Sequence, residues 1–390
     1  MGPLSGVRIV EIATMIAGPA CTQLLAQQGA SVIKVEDPSV GDPLRPYGSS
    51  RAGMSGWFAN ANAGKRALCI DLSSDVGREA MLRIVDRSDV LVQGFRPGAL
   101  ARLGLGAESL MARNSALVYV SLSGFGESGP YSNLPVYDPV IQALSGIAGT
   151  QSDERGPMLV KQVLSDKVAA LTAAQAVTAA LLERSRTGLG QHVRLAMLDA
   201  SIAFAWPDAM MQHTVLADDA VHMPNTMASL RTVRVVDGFI VMVAVTDAQA
   251  HSLCRTFGRP DLIDDERFAT TPARAKNFAA WCTAIDAMVC NSTRDDVVRR
   301  AHAGDVPCAP VLRPEEVVDD PQVRHSGIIE EVDHPVVGRM RQPRAAARFG
   351  GPLPATTPAP SRGQHTDEIL AELGYNSEEI EGMRADKVIK

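Results

Sequence analysis

Short apolar runs alternate with amphipathic stretches through the first 200 residues of the chain. The runs predict five strands, at Val7–Ile12, Ser31–Glu36, Arg66–Leu72, Asp89–Val92 and Leu117–Leu122. Two of the stretches between them, Gly18–Gln28 and Gly77–Val85, have the periodicity of helices. Strands that alternate with helices favour crossover units and a mostly parallel sheet. The first half of the chain is therefore predicted to be of the α/β class.

The pattern changes further along the chain. Ser165–Glu183 is rich in Ala and Leu almost all round, which predicts a helix buried on most faces, and a strand is predicted at His192–Met197. Thr232–Val236 and Phe239–Val245 flank Asp237-Gly238, a strong hairpin signal. Further helices are predicted at Ala248–Phe257, Phe278–Cys290, Thr293–Ala303, Thr366–Leu373 and Ser377–Met383. The middle of the chain is therefore predicted to form a smaller α+β module.

Composition excludes several classes of protein. Hydrophobic residues make up 46% of the 390 residues and charged residues 21%, which suffices for a full core and argues against disorder. The 38 basic and 44 acidic residues give a net charge of −6, which disfavours nucleic-acid binding. No uncharged apolar run is long enough for a membrane span, and Met1–Glu11 has no signal-peptide pattern. Six scattered cysteines without a CxxC pair indicate reduced thiols and no zinc site. We expect a soluble, cytoplasmic protein.

The first strand, turn and helix resemble a dinucleotide-binding unit, but the turn argues against one. That fingerprint needs three glycines, whereas the turn at residues 13–19 contains only Gly18. A nicotinamide or flavin site is therefore disfavoured. The residues still allow a second hypothesis, in which the N-terminus of this helix faces a phosphate or carbonyl group of a ligand.

Two glycine-containing segments follow predicted strands. Gly94–Gly98 carries Arg96, and Arg102 comes six residues later, so that both guanidinium groups can face one phosphate. A Pro-Gly turn with two solvated arginines explains the same residues equally well. Ser123–Pro130 is a glycine-rich loop that runs on to Tyr137-Asp138, a usual place for substrate contacts, although glycine clusters more often serve turns.

Asp166 lies at the start of the predicted long helix. An aspartate in a first helical turn ordinarily binds free backbone N–H groups and offsets the helix dipole. The same position keeps a carboxylate ionised in apolar surroundings, as a carboxylate nucleophile requires. The residues alone favour the capping interpretation. The eight isolated histidines and the absence of a Gly-x-Ser-x-Gly motif give no support to a hydrolase triad.

Taken together and in this order along the chain, these residues resemble the class III CoA-transferases of the CaiB/BaiF type. That family includes formyl-CoA transferase and has alpha-methylacyl-CoA racemase as a relative. The motifs that carry the resemblance are Pro3–Ile9, Ala17–Pro19, Val32–Glu36, Gly41-Asp42, Gly64–Arg66, Asp71-Leu72, Phe95–Gly98, Ser123–Gly126, Tyr137-Asp138, Gln142–Gly146, Asp166, Gly190-Gln191 and Leu373–Tyr375. The resemblance implies a large Rossmann-like parallel-sheet domain plus a smaller α+β domain in an interlocked, ring-like homodimer. Residues 1–205 and 311–390 would share the large domain and residues 206–310 would form the small one. The Pro-rich stretch from Pro343 would be a segment that crosses between the two domains.

The resemblance also assigns functions to single residues. It implies that Asp166 is the nucleophile and that Arg96 and Arg102 face CoA phosphates. It places CoA contacts at Ile16, Ala17, Ile70, Asp71, Leu72, Ser73, Gly94, Phe95, Arg96, Arg102, Pro135, Val136, Tyr137 and Asp138. The substrates would be an acyl-CoA and a small carboxylic acid, with no permanently bound cofactor and no metal.

The implied reaction is CoA transfer through aspartyl-acyl anhydride and aspartyl-CoA intermediates. Racemisation at the alpha carbon is the alternative, and it is disfavoured because Tyr137 stands where the racemase branch carries His. A CoA-binding protein without turnover, or a dinucleotide enzyme, is a third hypothesis.

Gly94 and Pro135 depart from residues common in relatives, which puts individual CoA contacts in question. The exchanged acids cannot be read from the sequence. Four methionines suggest an adaptable apolar wall, although core or dimer packing explains them better: Met210, Met211, Met223 and Met227.

Overall fold

The structure is a computed structural model that describes residues 2–221, 230–350 and 357–390. It divides into two compact units, Met1–Met211 with Gly327–Lys390, and Gln212–Ser326. Met223 and Met227, together with Pro352 and Pro354 of the Pro-rich stretch, lie outside the described residues. No helix of the described ranges is long and apolar enough to cross a bilayer.

The described residues form the following strands: β1 (Arg8–Ile12), β2 (Ser31–Glu36), β3 (Ser50–Arg51), β4 (Met54–Ser55), β5 (Arg66–Cys69), β6 (Val90–Gln93), β7 (Val118–Ser123), β8 (His192–Ala196), β9 (Val233–Val235), β10 (Gly238–Met242), β11 (Cys308–Pro310), β12 (Ile329–His334) and β13 (Gly338–Pro343). The helices are α1 (Ala17–Gln27), α2 (Gly56–Asn62), α3 (Asp75–Asp86), α4 (Ala99–Arg102), α5 (Ala107–Arg113), α6 (Asp138–Leu144), α7 (Ile147–Thr150), α8 (Leu164–Thr187), α9 (Met197–Ala209), α10 (Asp247–Thr256), α11 (Thr271–Lys276), α12 (Phe278–Val289), α13 (Arg294–Ala303), α14 (Pro314–Val317), α15 (Pro321–Ser326), α16 (Thr366–Glu372) and α17 (Ser377–Ala385).

A six-stranded parallel sheet forms the centre of the larger unit, which confirms the predicted α/β class. Its order is β5-β2-β1-β6-β7-β8. Counted along the chain this is 3-2-1-4-5-6, the order of doubly wound nucleotide-binding sheets. The order reverses between β1 and β6, so the loops after these two strands diverge and leave a crevice at the carboxyl edge of the sheet.

Alternating residues of the strands build a separate core on each face of the sheet. Ile9 and Val90 face one side, where they pack in one cluster with residues of α1 and α8. Val10 and Leu91 face the other side, where α3, α16 and α17 contribute to the cluster. This alternation follows from the two-residue period of strand side chains.

Two sequence predictions for this unit need correction. The strand predicted at Arg66–Leu72 ends at Cys69, because Ile70 bridges to Ile389 and the Asp71 amide donates to the Val388 carbonyl. Helix α8 is not buried on most faces, since Leu171 and Leu182 are 60% and 55% exposed.

The smaller unit has its own sheet and core. β10 pairs antiparallel with both β9 and β11, and the turn at Asp237-Gly238 joins β9 to β10 as the sequence predicts. The predicted helices are present as α10, α12 and α13, and they pack apolar residues such as Leu253, Trp281 and Val297 around Ile240.

Candidate active site

A cleft of about 420 Å³ opens at the carboxyl edge of the six-stranded sheet, where the strand order reverses. Residues from the loops after β1, β2, β6 and β7 and from the starts of α1, α6, α8 and α9 line it. They are Ala13, Thr14, Met15, Ala17, Gly18, Pro43, Gly94, Phe95, Arg96, Pro97, Leu122, Ser123, Gly124, Phe125, Ser132, Leu134, Pro135, Val136, Tyr137, Asp138, Asp166 and Met197. The cleft thus lies where open α/β sheets bind their ligands.

The loop between β1 and α1 forms one wall of the cleft. Met15 has φ +65°, a left-handed conformation that costs a residue with a side chain about 1–3 kcal/mol. Gly18, in the first turn of α1, lies so close to Ala13 that a Cβ atom on it would be 2.4 Å from the Ala13 Cβ. The single glycine of this turn is therefore explained by close packing between loop and helix.

Gln93 at the end of β6 holds the next segment of the wall. Its side-chain oxygen accepts a hydrogen bond of 2.8 Å from the Phe95 amide, and its Nε2 donates to the Ser121 hydroxyl at 3.0 Å. The Ser121 hydroxyl in turn lies 2.8 Å from Nε2 of His192. This buried polar chain fixes the direction in which Gly94–Arg96 leaves the sheet.

The glycine-rich loop after β7 packs directly against the segment that precedes α6. A Cβ atom on Gly124 would lie 2.3 Å from Cγ1 of Val136. Only a glycine therefore permits this contact, which sets the distance between the loop and Tyr137.

Asp166 lies in the first turn of α8, and its backbone amide donates a hydrogen bond of 3.0 Å to Oδ2 of Asp138. Asp138 is buried at the first residue of α6, and its Oδ1 accepts from Nε2 of Gln142, 2.5 Å away. Gln142 also donates to the carbonyls of Val160 and Gln162, which lead into α8. The starts of two helices are thereby joined around one buried carboxylate.

Burial, together with the neighbouring negative charge of Asp138, raises the pKa of Asp166 to about 7. Burial and the repulsion by Asp138 both favour the neutral form of this carboxyl group, and so act against the ionised state that its place at the helix N-terminus suggests. A carboxylate with a raised pKa is more basic, and hence a better nucleophile when it is ionised.

The cleft gathers most of the residues that the resemblance assigns to catalysis and CoA binding. Its lining includes Ala17, Gly94, Phe95, Arg96, Pro135, Val136, Tyr137, Asp138 and Asp166. Six others lie outside the lining: Ile16, Ile70, Asp71, Leu72, Ser73 and Arg102. Ile16 is buried beside Leu44 and Phe58, and Ile70 is buried against Ile389. Asp71 accepts hydrogen bonds from the amide and hydroxyl of Ser73.

Sequence reasoning did not single out Gln93 or Gln142 as site residues. Gln142 is four residues after Asp138, so one turn of helix places the two side chains on the same face. The sequence pattern does not predict α6 as a helix, so it does not reveal this pairing. Within the described ranges, no group of three His, Cys, Asp or Glu side chains is arranged to hold a metal.

The family model for CoA-transferase family III matches residues 4–366. The chain belongs to CoA-transferase family III. This confirms the resemblance seen in the sequence, and the protein is a CoA-transferase.

Named members of CoA-transferase family III align over almost the whole chain. The succinate–glutarate CoA-transferase of Agrobacterium fabrum is 32% identical over 385 residues, which cover 95% of this chain and 96% of the relative. The formyl-CoA:oxalate CoA-transferase of Escherichia coli O157:H7 is 29% identical, with 99% of each chain covered. Among solved structures, a CaiB/BaiF family protein from Brucella suis has a TM-score of 0.84 and 33% identity, with 95% of this chain and 99% of that chain covered.

Proposed function

We propose that this CoA-transferase uses Asp166 as a covalent nucleophile, with acyl-CoA bound in the cleft described above. The observation that supports the proposal best is the position of Asp166. Its carboxyl group is largely buried and lines the cleft at the carboxyl edge of the sheet, among the segments that the resemblance assigns to CoA.

In the first half of the reaction, an ionised Asp166 oxygen attacks the thioester carbonyl carbon of the acyl-CoA. The carbon–sulfur bond breaks, CoA leaves as a thiolate, and Asp166 carries a mixed anhydride. The thiolate then attacks the aspartyl carbonyl carbon. The anhydride carbon–oxygen bond breaks, the donor acid leaves as a carboxylate, and Asp166 becomes an aspartyl-CoA thioester.

The second half repeats these steps with the acceptor acid. Its carboxylate attacks the aspartyl carbonyl, expels the CoA thiolate and forms a second anhydride. The thiolate then attacks the acceptor's acyl carbonyl, which releases the new acyl-CoA and regenerates the Asp166 carboxylate. Binding of the distant nucleotide end of CoA keeps the thiolate in place between steps.

The two walls of the cleft offer groups for this chemistry. Arg96 would bind CoA phosphates, since its planar guanidinium donates two hydrogen bonds at once. Backbone N–H groups at Ala17 and Gly18, or in the loop Gly124–Gly129, would stabilise the oxyanion of each addition step. Met15 and Leu122 supply apolar surface that excludes water from the reacting carbonyl.

Trapping with hydroxylamine tests the nucleophile. Incubation with an acyl-CoA and hydroxylamine should convert Asp166 into a hydroxamate, which peptide mass spectrometry locates. Asp166→Ala should lose both the hydroxamate and CoA transfer. Asp199→Asn is the matched control, because Asp199 also lies in the first turn of a helix but outside the cleft lining. Full transfer activity in Asp166→Ala would refute the assignment.

The carboxylic acids that this enzyme exchanges are best sought first among the acids that appear in the names of its relatives. We propose a small carboxylic acid as acceptor, and a panel of succinate, glutarate, oxalate and formate, each with a matching acyl-CoA donor, tests this class. Deuterium incorporation at the alpha carbon of a 2-methylacyl-CoA, without CoA exchange, would instead indicate a racemase.

We also propose that the protein is a cytoplasmic homodimer of interlocked protomers. The exposed apolar residues Leu171 and Leu182 on α8 support a second copy, and the free thiols of all six cysteines suit a reducing compartment. Light scattering after gel filtration should give twice the mass of one chain. A single-chain mass at micromolar concentration would contradict the dimer.

A further inference from the structure

Six charged side chains are buried next to the β1–α1 loop, and the proposed mechanism uses none of them. This buried network consists of three acids and three bases: Glu11, Glu36, Asp42, Lys34, Lys65 and Arg45. Lys34 and Lys65 belong to sequence motifs of the family, but the reaction itself gives no reason for them. Three acids against three bases make the network electrically neutral.

Lys34 contacts two carboxylates and one backbone carbonyl inside the protein. Its Nζ lies 2.9 Å from Oε1 of Glu11 and 2.9 Å from Oδ2 of Asp42. Its third partner is the backbone carbonyl of Ala13, at 2.8 Å. Ala13 is the first residue of the cleft wall that follows β1, so a buried charge holds the start of that wall.

Lys65 holds the other end of the same wall in the same way. Its Nζ lies 2.7 Å from Oε2 of Glu11 and 2.8 Å from Oδ1 of Asn62. Its third partner is the carbonyl of Pro19, at 2.8 Å, in the first turn of α1. Glu11 thus joins the two lysines, and its second oxygen also accepts from the Thr22 hydroxyl at 2.5 Å.

Asp42 holds the middle of the wall. Its Oδ1 accepts a hydrogen bond from the Met15 amide at 3.4 Å and from the Leu44 amide at 2.9 Å. The Asp42 amide donates to Glu36 at 2.9 Å, and Arg45 binds the Glu36 carboxylate with its Nε at 2.7 Å. Asp42, which these contacts hold in place, therefore binds the wall at Met15. Met15 is the one residue of this wall whose backbone is left-handed.

We propose that the buried network positions residues 13–19, the cleft loop, in the conformation that binds CoA. Side chains of the network accept or donate hydrogen bonds at Ala13, Met15 and Pro19 of the cleft loop. Without these bonds, the strained backbone of Met15 would relax toward an ordinary conformation. Stability alone is a weak reason for such a network, since buried ion pairs are often no more stabilising than apolar residues of the same volume. This inference rests on the proposed use of the cleft by CoA.

The test measures CoA binding, which does not depend on turnover. Asp42→Asn retains the shape of the side chain but removes its charge and its ion pair with Lys34. We expect the Kd for CoA, measured by calorimetry, to rise about tenfold. In a Met15→Gly background, Asp42→Asn should raise the Kd much less than it does in the wild type, because glycine adopts positive φ without strain. Comparison with Met15→Gly alone cancels the loss of the Met15 side chain from the cleft.

Arg184→Met is the matched control for lost stability. Arg184 is half-buried near the far end of α8, and it pairs with Asp89 at 3.0 Å, before β6 and away from the cleft. We expect it to lower the melting temperature without changing the Kd for CoA. An unchanged Kd in folded Asp42→Asn, or an equal rise in the Met15→Gly background, would overturn the positioning role.

The outcome is separable from that of the proposed mechanism. If wild-type protein binds CoA but gives no aspartyl hydroxamate, the nucleophile assignment fails while the Asp42→Asn and Met15→Gly results still decide the role of the network. If hydroxamate forms and the Kd is insensitive to Asp42→Asn, only the positioning role fails.

Discussion

The backbone amide of Asp166 lies 3.0 Å from a carboxylate oxygen of Asp138, so the two acidic residues meet through a main-chain hydrogen bond. Asp138 thereby satisfies a free N–H group at the start of α8, a task that a capping residue ordinarily performs. Burial raises the pKa of the Asp166 side chain, and the charge of Asp138 raises it further. Asp138 therefore contributes both to the position and to the basicity of the proposed nucleophile.

The first prediction concerns the pH dependence of transfer. Because only the ionised form of Asp166 attacks, and its pKa is raised to about 7, kcat/KM should rise with pH through about 7 and then level off. Initial rates between pH 5 and 9, with a thioester stable over that range, measure this. A profile that is flat between pH 5 and 8 would contradict it.

Removing the charge of Asp138 should move that profile. Asp138→Asn takes away the repulsion, so the pKa of Asp166 should fall, and the midpoint should shift to lower pH by roughly one unit. Glu127→Gln is the control, since Glu127 lies in the glycine-rich loop but pairs with Arg194 at 2.8 Å. A midpoint that moves equally in both variants would show that Asp138 has no specific effect.

Asp166→Asn should increase stability while it abolishes transfer. The folded-state pKa of Asp166 is above that of the unfolded chain, so its ionisation destabilises the fold as pH rises toward 7. We expect the free energy of unfolding to gain about 1–3 kcal/mol at pH 8 and almost nothing at pH 4. Urea titrations at both values measure the gain. An equal gain at pH 4 would point to a cause other than charge.

Arg96 should matter only for substrates that carry phosphates. Since a hydrogen bond to a charged group is worth ~1.5–3 kcal/mol, Arg96→Gln should raise the KM for acyl-CoA by about 10- to 100-fold. The KM for the matching acyl-pantetheine should stay the same. Arg102→Gln offers a comparison, because Arg102 lies outside the cleft lining. Equal penalties for both substrates would assign Arg96 to another role.

A methyl group on Gly124 should push the loop away from Val136. The added Cβ would lie 2.3 Å from Cγ1 of Val136, so Gly124→Ala should raise the KM for acyl-CoA by about tenfold or more. Val136→Ala removes the clashing atoms, and the double variant should recover much of the loss. A double variant no better than Gly124→Ala would show that the clash with Val136 is not the cause.

Local pattern was sufficient to predict much of the fold. The strand Ser31–Glu36 agrees with its prediction at both ends, because β-branched residues with a buried face leave little alternative. The turn residues Asp237-Gly238 predict the hairpin between β9 and β10 equally well. In contrast, the end of β5 depends on Val388 and Ile389, more than 300 residues later, which no local pattern can reveal.

The sequence points to several of the residues that line the cleft, but not to their electrostatics. Asp166 was identified through its helix position and the family resemblance. Its raised pKa depends on burial and on Asp138, which is 28 residues away in sequence and reaches it only because α6 and α8 begin side by side. Long-range contacts of this kind decide whether a carboxylate at a helix start is a stable anion or a basic nucleophile.

The neutrality of the buried network also limits how this protein can change over evolution or in the laboratory. Replacing Lys34, Lys65 or Glu11 alone leaves an uncompensated buried charge, which costs about 3–5 kcal/mol and approaches the whole stability of many domains. A library of single substitutions should therefore find these positions almost invariant. Exchange becomes accessible only when partners change together, so this part of the cleft wall is best redesigned by paired replacements.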